Sequence, residues 1–209
     1  MKKYFMLIAA ALTAVAFVSC NKDDEENGGG EETGPAVFET TDATTVCINE
    51  VNGGTGYKSI ELYNPTDASI HLDGYVIIKN DDAENPYWTG SGSDYIAAKG
   101  YLVIRANKET SEIDGLPATV LSINKATGGL SGKKIVKLEL KKGDTSYDVF
   151  DRGWTKHWDG TTELGLPDAG TNSFARQQDG KKTWKVMAQT VGATNAGAAV
   201  QGEVTVDPE

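Results

Sequence analysis

The sequence has almost no cysteine. Cys20 and Cys47 are the only two in 209 residues, too few for the disulfide framework that stabilises small secreted scaffolds. Histidine is equally scarce: His71 and His157 stand far apart, with no H-x-x-x-H or Cys/His spacing, which argues against a transition-metal site. Basic residues are outnumbered, 20 Lys and Arg against 30 Asp and Glu, for a net charge of -10. So acidic a chain repels phosphate backbones and anionic headgroups, which excludes nucleic acid and polybasic membrane binding. The chain also lacks a G-x-S-x-G elbow, a glycine-rich phosphate loop and a nucleophile with a placed base, so neither a catalytic residue nor a cofactor is expected.

Long apolar runs are missing too, except one at the start. Phe5 to Val18 holds a single hydroxyl, Thr13, and follows Lys2 and Lys3. It has the length of a signal-peptide core and falls short of the roughly 20 apolar residues that span a bilayer. Ser19 and Cys20 follow, then Asn21-Lys22-Asp23-Asp24-Glu25-Glu26 and Gly28-Gly29-Gly30. Phe17-Val18-Ser19-Cys20 resembles a bacterial lipobox, in which the signal is cut before a cysteine that is then acylated. This predicts a signal peptide over 1–19, lipid on Cys20, and a flexible tether over 20–36 whose composition cannot build a core. Loss of 1–19 removes two lysines and no acid, moving the net charge from -10 to -12. The acidic stretch after the cysteine also resembles the export signal of Gram-negative surface lipoproteins. The expected location is therefore the outer membrane, lipid-anchored and displayed at the cell surface. With Cys20 acylated, Cys47 has no partner; its place in the apolar "TTVCINEV" predicts a buried, unreactive thiol.

Past the tether the chain reads as short strands. Thr45 to Val51 is β-branched and ends at Asn52-Gly53-Gly54. Tyr57 to Asn64 alternates, with Lys58, Ile60 and Leu62 on one face and Tyr57, Ser59, Glu61 and Tyr63 on the other. Ser69 to Asn80 breaks at Asp73-Gly74 and resumes. Gly100 to Ala106, Lys134 to Lys141 and Ser146 to Phe150 complete the set, with Val136, Leu138 and Leu140 on one face and Lys142-Gly143-Asp144 as a hairpin turn. This spacing predicts an all-β sandwich. Asp81 to Asp94 and Arg152 to Asn172 have no usable period and read as long loops; Glu203 to Val206 reads as a possible edge strand.

In order, these pieces resemble a lamin tail domain. Its opening Asn-Glu is Asn49 and Glu50; its "ELYNP" strand holds Glu61, Asn64 and Pro65; its turn glycine is Gly74. Its closing pattern is Ser173, Arg176, Asp179, Gly180, Trp184, Thr190, Gly192 and Asn195, with Val191 where the family usually carries Pro. The resemblance implies an immunoglobulin-like sandwich, here over 37–196 with a C-terminal extension over 197–209, and no enzymatic activity. It also implies structural roles for Asn49, Glu50, Glu61, Asn64, Pro65, Gly74, Arg176 and Trp184.

Two carboxylates such as Glu50 and Glu61 can do acid–base work; as members of strand motifs they are expected instead to accept hydrogen bonds that lock loops. Asp81-Asp82-Ala83-Glu84 offers oxygen ligands for calcium but lacks the D-x-D-x-D-G pattern, which favours a solvated acidic loop. The loop aromatics Tyr87, Trp88, Trp154 and Trp158 are the candidate binding residues, either stacking on sugar or protein or capping the ends of the sandwich. The expected function is a non-enzymatic, lipid-anchored binding or scaffolding module. Polysaccharide capture, and an accessory role beside a secreted hydrolase or nuclease, stand as alternatives.

Overall fold

The computed structural model describes residues 41–53, 58–105, 121–123, 130–157 and 169–204. The chain divides into two units, Met1–Thr33 and Gly34–Glu209, and every described residue belongs to the second. The expected signal peptide, Cys20, the tether and Trp158 lie outside the described residues.

Apolar alternation builds the strands that face each other across the core. β1 (Cys47–Asn52), β2 (Ser59–Tyr63), β7 (Tyr101–Arg105), β8 (Leu121–Ile123), β11 (Asn172–Arg176), β12 (Trp184–Ala188) and β13 (Val200–Glu203) form one sheet, ordered β13-β12-β11-β1-β2-β7-β8. A second sheet runs β10-β9-β4-β5, from β4 (Tyr75–Lys79), β5 (Trp88–Thr89), β9 (Val136–Lys142) and β10 (Thr145–Arg152). β3 (Ile70–His71) pairs with β6 (Tyr95–Ile96), and α1 (Trp154–His157) is a single helical turn. Every described pairing is antiparallel except β7 with β8. The protein is an all-β sandwich, as the strand spacing predicts, and an immunoglobulin-like one, as the family resemblance implies.

The core lies between the sheets. Ile48, Ile60, Leu62, Leu102, Ile104 and Phe174 meet Tyr75, Ile77, Leu138, Leu140 and Phe150 there, all buried. Along β9, Val136, Leu138 and Leu140 point inward while Lys137, Glu139 and Lys141 are half-buried, the two-residue period of a sheet with one wetter face. The β9–β10 hairpin turns at Gly143, whose φ of 56° suits a residue without a Cβ.

Two readings of the loops need correction. The segment Asp81 to Asp94 is not all loop: Trp88–Thr89 adds to the edge of β4 through Ile77–Trp88 and Val76–Thr89 pairs. A two-residue strand is too short to show a period, and its Asp, Asn, Pro and Gly flanks mask it. Gly90 follows because Leu72 crosses there; a Cβ at Gly90 would sit 2.2 Å from the Leu72 carbonyl oxygen. At the other end, β13 pairs with β12 and Val204 is buried, so the sandwich continues past 196.

A buried polar face and a surface cleft

The outer face of β1 and β2 is polar but not solvated. A bulge between Ile48 and Glu50 sets Glu50 opposite Glu61 on β2 and Ala175 on β11. One row along, Asn52 faces Ser59, which in turn faces Arg105 on β7. Continuing the β1–β11 register brings Ser173 beside Asn52. All six polar residues of these rows are buried. Alternation in β2 therefore separates apolar from polar side chains, but not inside from outside.

Residues after β12 supply part of the cover. Thr190 donates to Glu50 from its backbone N–H (3.2 Å) and its hydroxyl contacts the same Oε2 at 2.7 Å. The Gly192 N–H donates to Glu61 at 2.6 Å, and the Asn49 amide donates to the other Glu61 oxygen at 2.9 Å. Asn49 also donates to Asp179, whose carboxylate accepts from the Asn195 N–H, the Tyr101 hydroxyl and the Thr194 hydroxyl. Burial pushes Glu50 above the ordinary carboxylate range. Burial and then the Glu50 charge push Glu61 well above it. Glu50 and Glu61 are thus engaged in closing the 189–195 segment onto the sheet, the loop-locking alternative to acid–base work.

The other motif residues are equally occupied. Asn64 is fully buried; its amide donates to the carbonyls of Ala68, Ile96 and Ala97, and its oxygen accepts from Thr66. Pro65 offers its carbonyl to the Lys99 ammonium at 2.6 Å. Gly74 turns β3 into β4 with φ 75°. Arg176 donates to the Ile48 and Lys181 carbonyls and stacks 5.1 Å from the Trp184 ring centroid, and Trp184 packs on Phe150 at 4.8 Å.

The candidate aromatics are not displayed. Tyr87 and Trp88 are 2% and 1% exposed and belong to the main core; the Tyr87 N–H donates to the Ile77 carbonyl at 2.8 Å, and Trp88 pairs with Ile77 on β4. Trp154 is buried too; it packs on Ile135, and its indole N–H donates to Asp81 at 2.8 Å. Rings so enclosed, Trp88 and Trp154 above all, present little surface for stacking. Asp81 and Asp82 do not converge on a cation. Asp81 is paired with Lys137 and Trp154, and that lysine bond holds its carboxyl below its usual range; Asp82 accepts from Asn85. Among the described residues no group of three or more His, Cys, Asp or Glu is arranged to hold a metal.

Of these aromatics, Tyr87 borders a surface cleft. Asn80 and Asp81 both take left-handed backbone, φ 55° and 61°. Reciprocal hydrogen bonds pin that turn to β9, Asn80 N–H to the Lys137 carbonyl and Lys137 N–H to the Asn80 side chain. The turn opens a depression of about 420 Å³ lined by Lys79, Asn80, Asp82, Asn85 and Tyr87. A second depression of about 250 Å³ shares Lys79 and Asn80 and continues to Ser131, Lys134 and Ile135. The Lys79 ammonium lies 5.4 Å from the Tyr87 ring centroid, and burial, then the Lys134 charge, lowers its pKa. "KNDDAEN" and "LSGKK" lie far apart in the chain and match no motif, so nothing in the sequence announces the cleft.

A family model, the Lamin Tail Domain, matches residues 39–186. The chain belongs to the lamin tail domain family. No match to it was found among curated proteins. Lamin tail domains are immunoglobulin-like and not known as enzymes. The described lamin tail domain runs on beyond the matched residues: β12 continues to Ala188, and β13 and the 189–195 cover follow it.

Proposed function

We propose that this lamin tail domain is a non-enzymatic binding or scaffolding module, anchored to the outer membrane through lipid on Cys20 and displayed at the cell surface. The observation that carries the binding role is the cleft at a loop end of the sandwich, with Lys79, Asn80, Asn85, Ser131 and Lys134 around it. Loops positioned by a rigid sheet are where binding residues concentrate. The order Lys2-Lys3, apolar run, Ser19, Cys20 and acidic tether supports the anchor. Among the described residues no helix is long and apolar enough to cross a membrane.

Polysaccharide capture is the second reading, favoured by the same cleft: ammonium, amide and hydroxyl groups match a hydroxyl-rich ligand better than an apolar one. Asn85 and Lys134 are exposed, so a variant carrying Asn85→Ala and Lys134→Ala should keep its melting temperature. On a glycan array, and in a pull-down from surface extracts, the variant should lose the ligand that the parent retains. A ligand held equally well by both proteins would reject the cleft as the site.

A further inference from the structure

The Thr190 hydroxyl stands between two oxygen atoms and has one hydrogen to give. Its Oγ1 contacts the side-chain oxygen of Asn195 and lies 2.7 Å from Oε2 of Glu50. The Asn195 amide cannot be turned round, because its nitrogen donates to the carbonyls of Arg176 (2.8 Å) and Asn49 (3.3 Å). Its oxygen therefore accepts, and the Thr190 hydrogen goes there. The contact between Thr190 and Glu50 needs a second hydrogen, which a carboxylate lacks and a carboxylic acid has. We propose that Glu50 is held as a neutral carboxylic acid, that it donates its proton to Thr190 Oγ1, and that this bond latches residues 189–195 over the polar face of β1 and β2. Loss of the proton releases the latch.

The surroundings divide protons consistently. Glu61, opposite Glu50, accepts on both oxygens, from Asn49 and Gly192. Asp179 accepts four donors, from Asn49, Asn195, Tyr101 and Thr194. Glu50 and Glu61 face each other across the β1–β2 pair, and repulsion between them disfavours both being ionised together. The nearby cations are directed elsewhere. Arg176 on β11 binds Asp148 and three carbonyls, those of Ile48, Thr41 and Lys181. Lys185 on β12, opposite Ala175, pairs with Glu203. Arg105 on β7 sits one row away, opposite Ser59. Burial raises the folded pKa of Glu50 above its unfolded value. The stabilisation it contributes is therefore present below the ordinary carboxylate range and is lost as pH rises through the raised value.

Hydrogen exchange on the full chain tests this at the amides of Thr190 and Gly192, after correction for intrinsic base catalysis. Protection in the parent should hold at low pH and fall, above the raised pKa, by about tenfold per pH unit, the slope of one proton. Glu50→Gln keeps a donor towards Thr190 and should match the parent's low-pH protection with no fall. Glu61→Gln brings an amide against the Gly192 N–H or the Asn49 amide and should lose protection at every pH. An equal alkaline fall in Glu50→Gln overturns the proposal. A carboxyl-carbon NMR titration of parent Glu50 adds a test that requires no variant to fold: a midpoint above the ordinary carboxylate range supports the latch, and one within that range overturns it.

Discussion

Arg176 on β11 reaches across the sandwich to Asp148 on β10, placing Nη2 2.9 Å from both carboxylate oxygens. The arginine side chain is wholly buried. Asp148 also accepts the Ile48 N–H at 2.7 Å, so one carboxylate joins β10 to both β1 and β11. Removing one partner of a buried pair leaves an uncompensated charge. Asp148→Ala is expected to cost about 3–5 kcal/mol in a denaturant titration. A loss of less than about 1 kcal/mol would show that water, not Asp148, satisfies Arg176.

Cys47 is fully buried, and burial pushes its thiol up to about 12 against the pull of the Arg176 charge. The thiolate is the reactive form, so alkylation in native buffer at mildly alkaline pH should be slow and should become rapid in denaturant. Cys47→Ser is expected to destabilise by about 1–3 kcal/mol. Fast native labelling would place the residue outside the sheet.

Asn64 turns its amide towards three carbonyls. Asn64→Asp has nearly the same shape but sets a carboxylate against those carbonyl oxygens, an uncompensated buried charge expected to cost about 3–5 kcal/mol. The melting temperature should rise again at acid pH, where the introduced group takes a proton. A pH-independent deficit would contradict that reading.

Trp88 is a core residue, so Trp88→Ala should behave as a cavity mutation, losing about 3–5 kcal/mol of stability. A variant of unchanged melting temperature with weakened ligand binding would return the ring to the surface.

The fold was legible wherever a two-residue period ran for five residues or more. Val136, Leu138 and Leu140 are one case; Ile60 and Leu62 between Ser59, Glu61 and Tyr63 are another. In the second case the period identified the faces but not their solvation. Glu61 is buried because of Gly192 and Asn49, the first of them 131 residues away, and no local pattern carries such a contact. Family resemblance marked Glu50, Asn64 and Arg176 as structural without giving their partners; Asp148, which completes Arg176, drew no attention within "SYDVF". The aromatics misled for a related reason: Asp, Asn and Pro around Tyr87 and Trp88 look like a solvated loop, whereas pairing with Ile77 draws that short segment into the core.

The account of a tethered binding module rests on Cys20, and fractionation of cells expressing the full chain with Cys20→Ala tests it most directly. The parent should sediment with the outer membrane and be shaved by protease added to intact cells. The variant should move to the soluble fraction with its sandwich intact, as judged by an unchanged β-type circular dichroism spectrum. A Cys20→Ala protein that still sediments with the membrane as the parent does would contradict the account.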